Sequence, residues 1–295
     1  MQTLRPTAEA TRLSHRSWLF VPGDSERKLV RGRASGADAI ILDLEDSVAP
    51  AQKARARGLV TEALSHSIGP ALWVRINPLD EGGLDDLVAV VRAGPAGIML
   101  PKVGGPADVR RLATMLDALE RRDSVPGRIA ILPVATETAA SPFTLGTYAG
   151  TPRLHGLTWG AEDLATALGA STNQDGGGWA DTYRLVRSLC LLGARAAGVA
   201  PIETIYADFR DTDGLRRGSE AAAAEGFTGR LAIHPDQVAV INAAFLPSAA
   251  AVAWAERVVA AFAAAPDAGA VALDGAMVDV PHLKQARAVL ARAQR

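Results

Sequence analysis

Arg75, Lys102, Glu137, Asp163, Asp208, His234 and the run Asp43-Leu44-Glu45-Asp46 each stand just after a short apolar run. Glu137 and Asp163 have no His or Cys set beside them. Two hard carboxylates of this kind suit Mg²⁺ rather than zinc, because Mg²⁺ takes one or two protein carboxylates and completes its shell with water and substrate oxygens. The competing assignment is a pair of helix caps, Asp163 above all. Arg75, inside Val74-Arg75-Ile76-Asn77, cannot shed its charge on burial and needs an anion. That anion is a substrate carboxylate in its bidentate fork or one of Asp43, Glu45 and Asp46, and the two roles are compatible. Lys102, after Leu100-Pro101, has the same two readings. The acidic run either holds metal-bound waters or orients Arg75 and Lys102. No proton-transfer role is assigned to His234.

These residues need a scaffold that ends many strands at one mouth. The apolar runs are Ser17–Val21, Ala39–Leu42, Leu72–Val74, Gly97–Leu100, Ile129–Val134, Gly156–Trp159, Ile202–Tyr206 and Leu231–Ile233, separated by helical patterns. Eight strands alternating with helices predict a closed (β/α)8 TIM barrel, which delivers the strand-end side chains to one face. The rival, an open doubly wound sheet, usually carries a Gly-rich phosphate loop after its first strand, and Pro22-Gly23-Asp24-Ser25 is no such loop. Asp24 is the expected cap of the first helix, Pro106 opens another through Glu120, and one long helix is expected from Gly178 to Gly198.

The expected organisation is a flexible arm over 1–15, the barrel over 16–246, and a C-terminal helical extension over 247–295 that packs on the barrel or on a neighbouring subunit. In the extension, Ser248 caps a long Ala-rich helix, Pro266-Asp267-Ala268-Gly269 breaks it, Ala270–Leu273 is strand-like, and a last helix begins near Pro281. The chain has 295 residues, with 31 basic and 32 acidic side chains and a net charge of −1. That balance offers no surface for nucleic acid. No run of 18 uninterrupted apolar residues marks a membrane span. The single cysteine, Cys190, excludes an internal disulfide and fits a cytoplasmic protein. The residues 1–15 lack the hydrophobic centre of a secretory signal.

The motifs Arg16–Gly23, Ala37–Asp46, Val74–Asn77, Glu137-Thr138-Ala139, Gly160–Leu164, Gly226–Arg230 and Ile233–Val238 follow one another along nearly the whole chain. Taken in that order, they resemble the citrate lyase β-subunit-like proteins of the HpcH/HpaI aldolase/citrate lyase family, a group that includes malyl-CoA and citramalyl-CoA lyases. The resemblance implies Mg²⁺ held at Glu137 and Asp163 and chelated by an α-keto acid. It implies that Arg75 and backbone N–H groups around Glu162 and Asp163 hold the keto acid carboxylate, with Lys102 among the substrate contacts and Asp43, Glu45 and Asp46 behind the ligands. Asp274–Pro281 resembles the C-terminal motif that supplies a catalytic Asp, often to an adjacent subunit; the matching residue is Asp279, whose alternative is a helix cap. A homo-oligomer, a trimer or a multiple of it, follows from the same resemblance. Arg230 stands where many members carry Lys, Glu203 where many carry Asp, and Ala276 where Lys is frequent. Arg16, Arg27 and Lys28 are candidates for CoA phosphates or for a solvated face.

The activity so implied is Mg²⁺-dependent carbon–carbon cleavage of a β-hydroxyacyl-CoA, with citramalyl-CoA first and malyl-CoA or citryl thioesters next, to acetyl-CoA and an α-keto acid. The alternatives are an acyl-carrier-protein-dependent citrate lyase β subunit, a metal-dependent aldolase on free keto acids, and a non-catalytic metabolite-binding subunit.

Overall fold

The computed structural model describes residues 15–65 and 69–293, so the arm expected over 1–15 lies outside them except for His15. The described residues divide into two compact units, one up to residue 242 and one from residue 243 on.

The first unit is the barrel. Its strands and helices alternate as β1 (Ser17–Pro22), α1 (Glu26–Arg33), β2 (Ala39–Asp43), α2 (Lys53–Ser65), β3 (Ala71–Arg75), α3 (Leu84–Val90), β4 (Gly97–Leu100), α4 (Pro106–Asp123), β5 (Ala130–Pro133) and β6 (Gly156–Thr158). Then come α5 (Glu162–Leu168), a small hairpin of β7 (Gln174–Asp175) and β8 (Gly178–Trp179), α6 (Asp181–Ala196), β9 (Ala200–Glu203), α7 (Thr212–Glu225), β10 (Gly229–Ala232) and α8 (Asp236–Ala244). Eight strands among the described residues pair in parallel in the order β5-β4-β3-β2-β1-β10-β9-β6. Bridges between Ile131 and Leu154 and between Val134 and Thr158 bring β5 beside β6 and complete the ring. This is the expected (β/α)8 barrel.

Its interior is filled by large side chains set against small ones. Trp18, Ile41, Trp73, Met99, Leu132 and Ile202 are buried in one cluster. Gly97 is required there, since a Cβ would lie 2.1 Å from the Trp73 ring. The outer helices bury one stripe each, as α4 does with Val109, Leu112, Leu116 and Leu119.

Two details differ from the sequence expectations. The cap of α1 is Ser25, whose hydroxyl accepts from the Lys28 N–H at 3.4 Å, because Gly23 is still tied to the Asp43 carbonyl and the chain turns one residue later than Asp24. The stretch 178–198 is not one helix. Gly176 and Gly177, at φ 54° and 99°, turn the β7–β8 hairpin, so the helix starts only at Asp181.

Near the amino ends of β1 and β6, His155 lies 5.0 Å from Trp73, 5.6 Å from Trp18 and 6.1 Å from His15 between ring centroids. Burial, with the charge of His15, holds its imidazole down to about 4. The unfolded chain binds a proton there that the folded chain refuses, so stability rises with pH through this window. Urea denaturation is therefore expected to show stability falling from about pH 6.5 toward pH 4. His155→Phe should flatten that slope; an unchanged slope would remove His155 as its source.

In the second unit, Ser248 caps α9 (Ala249–Ala264) by accepting from the Ala251 N–H at 3.1 Å. The antiparallel pair β11 (Ala270–Leu273) and β12 (Ala276–Asp279) follows, turned at Asp274 and Gly275 with φ of 53° and 79°. The sequence reading had only the first of these strands, although an Asp-Gly pair between apolar runs is a hairpin signal. Helix α10 (Val280–Ala293) closes the chain, and Ala255, Val258 and Phe262 pack against Val278, Ala286 and Val289. The stretch 236–264 is long and apolar enough by composition to cross a membrane. It is interrupted after Ala244, however, leaving helices of 9 and 16 residues.

Candidate active site at the carboxyl ends of the barrel strands

Parallel pairing sets Asp43, the last residue of β2, beside Arg75, the last of β3. The guanidinium donates from Nε and Nη2 to the two Asp43 oxygens at 2.7 Å each. Its Nη1 lies 2.9 Å from Glu45 Oε2, an ion pair without hydrogen-bond alignment. The Phe20 ring covers the cation at 4.8 Å. The bidentate fork of Arg75 is thus filled by Asp43, and Glu45 takes the remaining nitrogen. Asp43 also accepts from the N–H groups of Glu45 and Ser47 at 3.0 and 3.3 Å, which folds the acidic run back over the strand end. Burial pushes its carboxyl up, but the Arg75 hydrogen bonds and charge more than offset this and hold it below the usual range.

Lys102 follows β4 in the left-handed region at φ 52°. For a residue with a side chain this strain is of order 1–3 kcal/mol. Its backbone N–H donates to Glu137 Oε2 at 2.5 Å. Its ammonium reaches Glu45 Oε1 at 2.5 Å, Asp46 at 3.5 Å and Asp163 Oδ1 at 3.7 Å. Burial opposes the charge, but the carboxylates keep Lys102 protonated well above the usual lysine range.

Glu137 is buried beside Gly160, where a Cβ would lie 2.9 Å from its Cγ. Only glycine leaves room for this carboxylate. Burial first, then the charges of Asp163 and Glu45, push Glu137 up to about 8. Asp163 stands in the first turn of α5, a third exposed. Glu137, Asp163 and Arg75 line one cavity of about 320 Å³, with Phe20, Asp46, Trp159, Thr204 and Ile233 also in its wall. A buried carboxylate pushed up by burial, beside a second and partly exposed one, is a donor set that a hard divalent cation fits. Two carboxylates alone leave the rest of such a cation's shell to water and substrate oxygens.

The remaining candidates separate. Glu162, also in the first turn of α5, lines the cavity and accepts from Asn173 Nδ2 at 3.0 Å. Asp208 is an exposed turn former, accepting from the Arg210 N–H at 3.0 Å. His234 stacks on Phe209 at 4.9 Å and accepts from the Asp236 N–H at 3.3 Å; its neighbour Ile233 is in the cavity wall, while His234 is not. Arg16 forms a bidentate pair with Asp38, both contacts at 2.8 Å, at the start of β1. It therefore lies at the amino end of its strand, the far end from the mouth. In the second unit, Asp279 ends β12 with its Oδ1 2.5 Å from His282 Nδ1. That hydrogen bond holds its carboxyl below the usual range.

Sequence reasoning missed the supports. Lys53 donates to the carbonyls of Leu44 and Glu45 and to Asn77 Oδ1, each at 2.7 Å. Glu203 is buried and accepts from Trp159 Nε1 and Arg187 Nε at 2.6 Å each and from the Thr204 N–H at 2.9 Å. It thereby fixes two wall residues from behind. Its strand neighbour Arg230 is also buried, donating to the Thr204 carbonyl at 3.1 Å and Ser219 Oγ at 2.8 Å. The family resemblance marked both positions as departures without giving either a role, and the residues' own signal was a charge inside an otherwise apolar strand.

Residues 16–235 match the HpcH/HpaI aldolase/citrate lyase family. The chain is 37% identical over 288 residues to a (3S)-malyl-CoA thioesterase of Cereibacter sphaeroides, covering 95% of this chain and 94% of that protein. It is 34% identical over 302 residues to the L-malyl-CoA/beta-methylmalyl-CoA lyase of Rhodobacter capsulatus, covering 95% of each. Among solved structures, it superposes with a TM-score of 0.78 and 35% identity on the Mycobacterium tuberculosis CitE protein in complex with magnesium, acetoacetate and coenzyme A, covering 96% of this chain and 100% of that one.

Proposed function

The chain belongs to the HpcH/HpaI aldolase/citrate lyase family of enzymes, and from that premise we propose that it is a Mg²⁺-dependent carbon–carbon lyase. Its substrate is a CoA thioester of a 3-hydroxy diacid of the malyl or citramalyl type, and its products are a short acyl-CoA and an α-keto acid. The observation that carries this reading is the shared cavity of Glu137, Asp163 and Arg75, in a chain similar to a protein seen with magnesium, acetoacetate and coenzyme A.

Glu137 and Asp163 are the residues that hold the cation. When bound, it would supply positive charge against the alkoxide that the substrate hydroxyl becomes on losing its proton, the species from which the carbon–carbon bond breaks. Arg75, locked by Asp43 and Glu45, presents a fixed positive charge in the cavity wall to the keto acid carboxylate. The backbone around Ala161–Asp163 lines the same wall. Phe20, Trp159, Leu231 and Ile233 make the apolar part of it, which limits water around the carbanionic product. Asp279 handles the proton at the α-carbon of the acyl group. In condensation its carboxylate takes that proton; in cleavage the protonated carboxyl gives it to the enolate carbon, while the substrate hydroxyl releases its own proton to solvent water. The hydrogen bond to His282, which holds its carboxyl below the usual range, favours the base form that the condensation direction uses.

The test is an assay on purified protein with Mg²⁺ and (S)-citramalyl-CoA, malyl-CoA or citryl-CoA, following keto acid, free CoA and acyl-CoA separately. Keto acid with acyl-CoA supports the lyase. Free CoA with an intact hydroxy diacid would replace it with a thioesterase, and no turnover of any thioester would sink both. Asp279→Ala is expected to lower turnover by about 10²–10⁴-fold with Mg²⁺ affinity unchanged. A parallel loss of Mg²⁺ binding would remove Asp279 from proton transfer.

A further inference from the structure

Lys102 touches both carboxylates assigned to the cation, Glu137 through its backbone N–H and Asp163 through its ammonium. The same ammonium contacts Glu45 and Asp46, so a monovalent charge sits among three carboxylates. We propose that Lys102 is a resident counter-cation of this cluster, which gives up Asp163 to the divalent cation when that cation binds. The inference rests on Glu137 and Asp163 being the metal ligands.

Three features support an exchange rather than a fixed ion pair. The Asp163 contact, at 3.7 Å, is the longest that the ammonium makes, so it is the first to break. Glu45 keeps a second cation when Lys102 leaves, because Arg75 Nη1 is 2.9 Å from its other oxygen. The Lys102 side chain is 31% exposed and Asp46 is 58% exposed, so the pair can move outward together without opening the core. A dication at Asp163 repels an ammonium held against the same carboxylate, which drives that movement. In this arrangement Lys102 keeps Asp163 and Glu45 in place before metal arrives and lowers the affinity for metal by competing with it.

The experiment is calorimetric titration of the full chain with MgCl₂, comparing wild type with Lys102→Met, Lys102→Arg and Glu137→Gln. Lys102→Met is expected to bind Mg²⁺ on the order of tenfold more tightly, and Lys102→Arg, which keeps the charge, to stay near wild type. The chain has four lysines, Lys28, Lys53, Lys102 and Lys284. A ¹⁵N-lysine NMR spectrum therefore resolves the Lys102 Nζ resonance, assigned by its loss in Lys102→Met, and Mg²⁺ is expected to shift it. An unchanged or weaker Mg²⁺ affinity in a Lys102→Met protein folded by circular dichroism overturns the exchange, as does an unmoved Nζ resonance. If Glu137→Gln abolishes binding while Lys102→Met leaves it unaltered, the metal site stands and the exchange falls. Absence of Mg²⁺ binding in wild type overturns both.

Discussion

Replacing Arg75 by methionine is expected to lower the melting temperature by about 10 °C and to remove measurable turnover. The side chain is only 14% exposed, and its partners Asp43 and Glu45 are each 2% exposed. Truncation leaves two buried carboxylates without their cation. Breaking a buried pair from one side costs about 3–5 kcal/mol, and each kcal/mol is worth roughly 2–4 °C in a protein of this size. Asp43 also loses what holds it ionised, and with it the turn that places Glu45. Arg75→Lys keeps a charge but not the fork, so it should fall between the two. In a double-mutant cycle, Asp43→Asn with Arg75→Met should cost less than the sum of the single changes. Thermal denaturation measures all of these. A drop of only a degree or two for Arg75→Met would mean that the pair is not part of what holds the barrel mouth together.

Glu137→Gln is expected to do the opposite to stability while losing nearly as much activity. The carboxyl is buried and already pushed up to about 8, so the folded protein without metal gains little from its charge. The amide has the same shape and keeps an oxygen for the Lys102 N–H, and no buried charge has to be maintained. The melting temperature without metal should therefore stay level or rise. With Mg²⁺, the variant should lack the stabilisation that wild type shows. Turnover should fall by roughly 10³-fold, which corresponds to the several kcal/mol that a cation contributes against developing negative charge. Full turnover in this variant would take Glu137 out of the metal site.

The contrast between these two residues also marks what was readable before folding. Both were singled out by a charge at the end of an apolar run, and that signal is a local one. A parallel barrel needs apolar strands, so charges collect where the strands stop, and the alternation of strand and helix is enough to say that all the stops share one face. The partner of Arg75 was not local. Substrate carboxylate and Asp43 remained equal candidates until the register of β2 against β3 set Asp43 alongside. The same holds for Lys53, reaching the acidic run from α2, and for Glu203, which holds the wall residue Trp159 from behind; neither contact is written in the spacing of the chain. Gly160 shows the reverse case. Its role beside Glu137 is a matter of the space a Cβ would take, which no spacing rule expresses.

By itself, then, the sequence determined the barrel, the end at which its chemistry sits, and the types of side chain available there. These follow from hydrophobic periodicity and from the cost of burying charge, both of which act along a few consecutive residues. Only the tertiary structure decided that Asp43 fills the Arg75 fork, that Lys102 spans Glu137 and Asp163, that Arg16 pairs with Asp38, and that Asp279 is joined to His282. Each of those is a contact of a few ångströms. All but the Asp279–His282 pair bring together residues distant in sequence, and strand register, loop conformation and side-chain packing settle them once the chain has closed.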